Sequence, residues 1–275
     1  QASIVFRKPI VHLHGGEITE GAWDEQIRHM ITKAAHVHFC ASEEYQKNIL
    51  YMGEESWRVH NVGALGVDAI RKAPNIPKAD LFQKFDLDFK KPTIIMTYHP
   101  VTLETVLSEE EQISNIFSAL EMYEFQLVIT APNIDVGHKQ LFRIIENNVK
   151  LNKDYHFIRS LGIHNYQAIL KHVEFVIGNS SSGIIEVPYY KIPTINIGDR
   201  QKGRIKHNSI VDSDYSIEGI RKAINKAMDI DFRNSLLSLH YKFGDGHASE
   251  KIVKVIKDIK IDQRLLRKRL EFHNV

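Results

Sequence analysis

Residues 175–188 read FVIGNSSSGIIEVP. An apolar run of strand length enters Gly178, Asn179, Ser180, Ser181, Ser182 and Gly183, and a helical pattern follows. Strand, small-residue turn and helix in that order make a βα unit. Small residues let backbone N–H groups approach an anion, hydroxyls add donors, and a helix start favours negative charge. Glu186, about one turn on, can accept hydrogen bonds from a ribose diol. No Gly-Lys-Ser/Thr closes the turn, so this is not a Walker loop, and no Gly-x-Gly-x-x-Gly supports a standard dinucleotide fold. The plainer reading is an Asn/Ser N-cap beside surface charges.

The same rhythm runs outward in both directions. Short β-rich runs lie at 10–14, 37–41, 58–62, 93–98, 126–130, 156–158, 175–177 and 194–197. Helical patterns lie between them, at 24–35, 43–52, 109–123, 139–151, 165–172, 183–190 and 217–228. This alternation predicts an α/β fold with parallel sheets. Residues 72–92 break it with Pro74, Pro77 and Pro92 among charges. They read as a linker with a short helix. The expected organisation is a partial N-terminal Rossmann-like domain (1–72), a linker (73–92), a C-terminal Rossmann-like domain (93–258) and a basic tail (259–275). The first domain, with three strands, reads as truncated, and residues 1–6 read like the end of a helix already under way.

Length and composition agree with this division. The chain has 275 residues, and at about 150 per domain that is roughly two domains. Lys+Arg exceeds Asp+Glu by 36 − 34 = 2, so charge points to no polyanionic partner and no nucleic acid. No apolar run approaches the ~20 residues of a membrane span, and no signal peptide is visible. The single cysteine, Cys40, cannot form an internal disulfide and suits a reducing cytoplasm.

In open α/β sheets ligands bind beyond the carboxyl ends of the strands, so polar residues there come first. At 10–28 the chain reads IVHLHGGEITEGAWDEQIR. Glu17 follows a Gly-Gly turn, and Asp24 and Glu25 open a helix. Those two acids suit capping and the macrodipole, yet two carboxylates on one loop can also divide acid and base roles. His12 and His14, like His36 and His38, form His-x-His on a strand, which seeds a metal site or simply places imidazoles at a cleft edge. No further ligands appear for a metal, and none is expected. His99 follows a strand and precedes Pro100, a good position for proton transfer or phosphate contact. Asn133 and Asp135 are turn residues or reach the ligand. Arg200, at the end of the 194–197 strand, can pair with phosphate.

Taken together, HLHGGEITEGAWDEQIRHMITK (12–33), NVGALGVD (61–68), TYHPVT (97–102), PNIDVG (132–137), GNSSSGIIEVP (178–188), IGDRQKGR (197–204) and GDGHASEKIV (244–253) resemble the hydrolysing UDP-N-acetylglucosamine 2-epimerases, especially the sialic-acid-pathway branch. The resemblance implies a GT-B-like fold, two Rossmann-like domains with the active cleft between them. It implies conversion of UDP-N-acetylglucosamine to N-acetylmannosamine and UDP, by elimination to a glycal and then hydration. It implies no nicotinamide and no obligatory metal. Glu17 and Asp24 match the family's catalytic carboxylates and His99 its catalytic histidine. Ser180, Ser181, Glu186 and Arg200 match positions holding the UDP phosphates and ribose, and Asn133 a sugar-side cleft residue. The expected assembly is a homo-oligomer, dimer or tetramer.

Two departures stand out. The family's first βα series, with a Gly-Asp-Arg motif, lies outside this sequence, and the tail at 259–275 is additional. The tail reads as a solvated helix face, an inter-subunit arm or a weak electrostatic patch, the first being preferred. Rival readings are a hydrolysing UDP-2,4-diacetamido-trideoxyhexose 2-epimerase, a GT-B glycosyltransferase, a non-catalytic UDP-sugar-binding module and a metal hydrolase built on His12 and His14.

Overall fold

The computed structural model describes residues 1–20, 23–101, 107–132 and 138–271. The chain forms two compact units: residues 1–19, 23–71 and 242–275 in the first, and 20–22 and 72–241 in the second.

The first unit begins with α1 (Ala2–Val5), β1 (Val11–Leu13), α2 (Asp24–Ala34), β2 (Val37–Cys40), α3 (Glu43–Tyr51), β3 (Val59–Asn61) and α4 (Leu65–Lys72). Its strands make a parallel sheet in the order β1-β2-β3, with Val11 opposite Val37 and His38 opposite Val59. The central strand, VHFC, is buried at every position, as a strand covered on both faces must be. Ser42 starts α3 by accepting a hydrogen bond from the Tyr45 amide.

The second unit runs through α5 (Lys78–Lys84), β4 (Thr93–Thr97), α6 (Glu109–Leu120), β5 (Gln126–Thr130), α7 (His138–Leu151), β6 (Tyr155–Ile158) and α8 (Gly162–Ile169). It continues through β7 (Val176–Gly178), α9 (Ser181–Ile185), β8 (Thr194–Ile197), β9 (Ile210–Ser213), α10 (Ile217–Met228) and α11 (Ile230–Ser235). All six strands are parallel, in the order β6-β5-β4-β7-β8-β9. Renumbered within the unit this is 3-2-1-4-5-6, the Rossmann order. Successive residues of β4 serve opposite faces. Ile94 and Met96 pack with Ile113, Ile116 and Ile224, whereas Ile95 packs with Leu81, Phe82 and Ile169. The topology reverses between β4 and β7, the neighbouring strands from which the chain departs in opposite directions. That reversal opens the crevice described below.

The chain then re-enters the first unit as α12 (Ala248–Asp258) and α13 (Gln263–Leu266). The expected C-terminal domain at 93–258 therefore gives up its last stretch: Ala248 and Ile252 are buried against Val37, Phe39 and Val62 of the first sheet. The expected linker is not a spacer either. Its residues Leu81, Phe82 and Leu87 are core residues of the second unit.

The basic tail is docked rather than solvated. Arg58, fully buried, donates to the carbonyls of His36, Arg264 and Leu265 at 3.0, 2.8 and 2.9 Å and pairs with Glu55 at 2.7 Å. Its five donors in a fixed fork suit a residue that must satisfy several carbonyls at once. Leu265 is 2 % exposed. Lys268 reaches Glu54 at 2.7 Å, and Lys33 shares that carboxylate at 2.6 Å. Burial pushes the Glu54 carboxyl up, but hydrogen bonds from His38, Lys268 and Lys33 outweigh it and hold it down at about 2. Among the described residues no helix is long and apolar enough to cross a membrane.

Candidate active site

In the second unit the ends of four neighbouring strands line one cavity of about 430 Å³. Thr97 ends β4 and His99 lies just beyond it, Thr130 ends β5, Arg159 follows β6 and Ser180–Ser182 follow β7, with Tyr166 and Arg200 closing the cavity. His99, Ser180, Ser181 and Arg200 were all expected at a ligand site, and the fold brings them to this one.

The turn after β7 works because of Gly178. Its φ is 137°, and a Cβ there would lie 2.0 Å from the Thr97 carbonyl oxygen of the next strand. The chain can thus turn tightly against β4. Ser180 caps α9, its hydroxyl accepting from the Ser182 amide at 3.3 Å. The helix has only five residues, so its dipole is short. The means of holding an anion here are the serine hydroxyls, the backbone amides and the Arg200 guanidinium.

Glu186 sits where α9 ends and does not line the cavity. It accepts from the Ser182 hydroxyl at 2.7 Å, and the Tyr166 hydroxyl lies 2.6 Å from the same serine. Burial raises the Glu186 pKa, against the opposing hydrogen bonds of Ser182 and Gln167. Its expected contact with a ribose thus runs past Ser182 and Tyr166, which do face the cavity.

His99 is 7 % exposed. Burial first, and the Arg200 charge second, push its pKa down to about 4, so the imidazole is neutral at physiological pH. Its backbone is held on both sides by Asn179. The His99 N–H donates to Asn179 Oδ1 at 2.7 Å, and Asn179 Nδ2 donates to the His99 carbonyl at 2.9 Å.

Sequence reasoning missed Thr97, Thr130, Arg159 and Tyr166. The first three lie at or just beyond strand ends, so the rule that found His99 was sufficient to find them. Thr97 and Thr130 hydroxyls are 2.6 Å apart. Asn133 lies outside the described residues.

In the first unit Glu17 is 3 % exposed and its Oε1 lies 2.8 Å from His14 Nδ1. The turn before it needs Gly16, whose φ is 80° and where a Cβ would meet the Tyr45 carbonyl oxygen at 2.1 Å. Asp24 is the first residue of α2 and is exposed. The two acids at this helix start are not equivalent. Glu25 is the structural one: it accepts from the Thr19 amide at 2.6 Å and pairs with Arg28 and His29, each at 2.8 Å. Arg28 also donates to the Glu17 carbonyl at 3.1 Å, tying the loop to the helix. Neither acid is a side-chain N-cap, since Trp23 holds that position without a capping bond.

Three of the four His-x-His histidines, His12, His36 and His38, are buried, whereas His14 is half-exposed beside Glu17. His12 lies 3.2 Å from the Thr32 hydroxyl, and burial together with the neighbouring positive groups lowers its pKa to about 4. His38 pairs with Glu54 at 3.1 Å. Among the described residues no three His, Cys, Asp or Glu side chains are grouped so as to hold a metal ion.

The profile of the family described as UDP-N-acetylglucosamine 2-epimerase matches residues 1–257. The chain belongs to that family. It is 36% identical over 262 residues to the GDP/UDP-N,N'-diacetylbacillosamine 2-epimerase (hydrolyzing) of Campylobacter jejuni, covering 94% of this chain and 67% of that protein. It is also 36% identical over 267 residues to the polysialic acid biosynthesis protein P7 of Escherichia coli, covering 94% and 66%. This 2-epimerase-family chain thus spans about two thirds of the length of these relatives. The crystal structure of the UDP-GlcNAc 2-epimerase from Neisseria meningitidis bound to UDP-GlcNAc superposes with a TM-score of 0.80 at 16% identity, over 94% of this chain and 72% of that one. At that identity the likeness speaks for the fold, and it bears out the GT-B-like, parallel α/β class.

Proposed function

We propose that the protein is a hydrolysing 2-epimerase that converts UDP-N-acetylglucosamine to N-acetylmannosamine and UDP, in sialic acid or related nonulosonate synthesis. The observation that carries this reading is the cavity at the β4–β7 reversal, where His99, Ser180, Ser181 and Arg200 converge. Family membership supplies the reaction class.

In the proposed mechanism the pyrophosphate binds against Arg200 and the serine hydroxyls. A carboxylate, Glu17 or Asp24, takes the C2 proton. The C2–H electron pair becomes the C1=C2 bond of a glycal, and the C1–O bond breaks with its pair leaving on UDP. The positive guanidinium and the hydroxyl donors favour the departing charge. The second carboxyl group, in its protonated form, gives its proton to C2 from the opposite face while water adds at C1, and the proton that water loses passes to solvent. In this reading His99, neutral and buried in the wall of the cavity, hydrogen-bonds the leaving group; its burial and its place beside Arg200 support that role.

A second reading keeps this chemistry and changes the sugar. The Campylobacter jejuni relative is named for a diacetylbacillosamine substrate, which favours a UDP-2,4-diacetamido-trideoxyhexose.

Calorimetry on five variants tests the division of labour. Glu17→Gln and Asp24→Asn should bind UDP nearly as the unaltered protein does, while turnover falls by about 10²-fold or more. Ser181→Ala, Glu186→Ala and Arg200→Ala should weaken UDP binding. Loss of UDP binding in the carboxylate variants with retention in the others contradicts the assignment.

A further inference from the structure

The β4–β7 ladder does not stop at its last paired residues. Ile95, Met96 and Thr97 lie opposite Val176, Ile177 and Gly178, and the Asn179 amide then donates to the Thr97 carbonyl at 3.1 Å. One step further the side chain of Asn179 takes over. Its amide exchanges two hydrogen bonds with the main chain of His99, at 2.7 and 2.9 Å, in the manner of another rung of the sheet. Pro100, directly after His99, keeps this residue extended and able to receive such a rung.

Few side chains can do this. Asparagine carries a donor and an acceptor on one short, planar group. Aspartate lacks the donor, alanine lacks both groups, and glutamine is one methylene longer. Asn179 is fully buried, so neither bond competes with water.

The carbonyl of the same residue holds the other side of the cavity. It accepts from Arg200 Nη1 at 3.1 Å and from Gln201 Nε2 at 2.9 Å. Gln201 is 1 % exposed, so its amide is a fixed support beside the arginine. His99 and Arg200 lie on separate loops, after β4 and β8, yet both are bonded to one residue after β7.

We propose that Asn179 is a positioning residue for the reaction. Its side chain sets His99 and its carbonyl sets Arg200, so that imidazole and guanidinium face one ligand in a fixed relation. This rests on the UDP-sugar reading of the cavity. The side chain governs the histidine alone, because substitution leaves the main-chain carbonyl in place. The turnover number should therefore suffer more than nucleotide affinity.

The test uses Asn179→Asp and Asn179→Ala, with circular dichroism to confirm folding. Two readouts are taken. The first is NMR titration of the His99 imidazole without ligand, which is independent of any substrate. The second is kcat and KM with UDP-N-acetylglucosamine, alongside calorimetry with UDP. The expected result is a His99 titration displaced from that of the unaltered protein in both variants. A fall in kcat of about 10-fold or more should accompany it, with UDP affinity within about 3-fold. Gln201→Met, which removes the support beside Arg200, should instead weaken UDP binding and leave the His99 titration in place. Folded Asn179 variants with unchanged His99 titration and unchanged kcat would overturn the proposal. If the unaltered protein neither binds UDP nor turns over the sugar, the UDP-sugar reading fails, while the titration still decides whether Asn179 positions His99.

Discussion

His14 Nδ1 lies 2.8 Å from Glu17 Oε1, and His14 holds a left-handed backbone conformation with φ of 59°. The imidazole is thereby aimed back at the carboxylate that the Gly-Gly turn buries. Left-handed φ is uncommon outside glycine, and His is, with Asn and Asp, one of the residues enriched there.

The pair makes a prediction that separates backbone from imidazole. His14→Asn keeps a residue suited to the left-handed region and deletes the ring. If Glu17 acts as the acid–base group proposed above, the substitution should lower kcat by about 10-fold, through loss of that carboxylate's hydrogen-bonded partner, with UDP affinity unchanged. His14→Ala should lower kcat similarly and also lower the melting temperature, because alanine is strained at positive φ. Steady-state kinetics with thermal melts of both variants check this.

Glu54 makes the docking of the tail depend on pH. Its pKa is held near 2 against an ordinary value of 4.5. A depressed carboxylate gives stability that is fully present above pH 4.5 and is lost as pH falls through about 2. The shift corresponds to a contribution on the order of 3 kcal/mol. Urea unfolding of the protein at stepped pH should show this loss below pH 4.5. In Glu54→Gln that segment of the curve should flatten, and stability at pH 7 should drop, since Lys33 and Lys268 lose their shared anion.

Arg58 should tolerate no substitution. Removing it leaves the carbonyls of His36, Arg264 and Leu265 without this donor, at about 1–3 kcal/mol for each that stays unsatisfied. It also removes the guanidinium that stacks 4.2 Å from the Trp57 ring, on which Arg264 packs at 4.5 Å. Arg58→Lys should be nearly as damaging as Arg58→Ala, because a point charge cannot span carbonyls that a fork spans. Limited proteolysis is the measurement: both variants should be cut early within 259–271, where the unaltered chain resists.

How much of this was legible in the sequence depended on how local each feature is. The strands at Gln126–Thr130 and Thr194–Ile197 and the helix at Ile217–Met228 have the expected boundaries, because apolar period and turn residues are local signals. The strand at Ile210–Ser213 was missed: four residues with partial burial and an aspartate carry little apolar signal. The helix at Ala248–Asp258 was quoted only as a motif, and its return to the first unit rests on contacts with Val37 and Phe39, some two hundred positions away in sequence. Site residues after strands were found by a topological rule that needs only strand ends. The role of Asn179 was not, because a side chain completing a sheet rung is visible only once β4 and β7 are neighbours. The placement of Glu186 behind Ser182 is hidden for the same kind of reason: the helix is so short that Glu186, the residue after it, turns back onto the Ser182 hydroxyl.

The most direct test of the account is product analysis of the protein in D₂O, by proton NMR, with UDP-N-acetylglucosamine and with UDP-2,4-diacetamido-trideoxyhexose offered separately. Elimination followed by hydration should give free UDP and the free 2-epimeric sugar in equal amounts from one of the two, with deuterium at C2, because the proton removed in elimination is replaced from solvent. A UDP-linked epimer without free UDP, or a released sugar that is unepimerised and carries its original C2 proton, would contradict it.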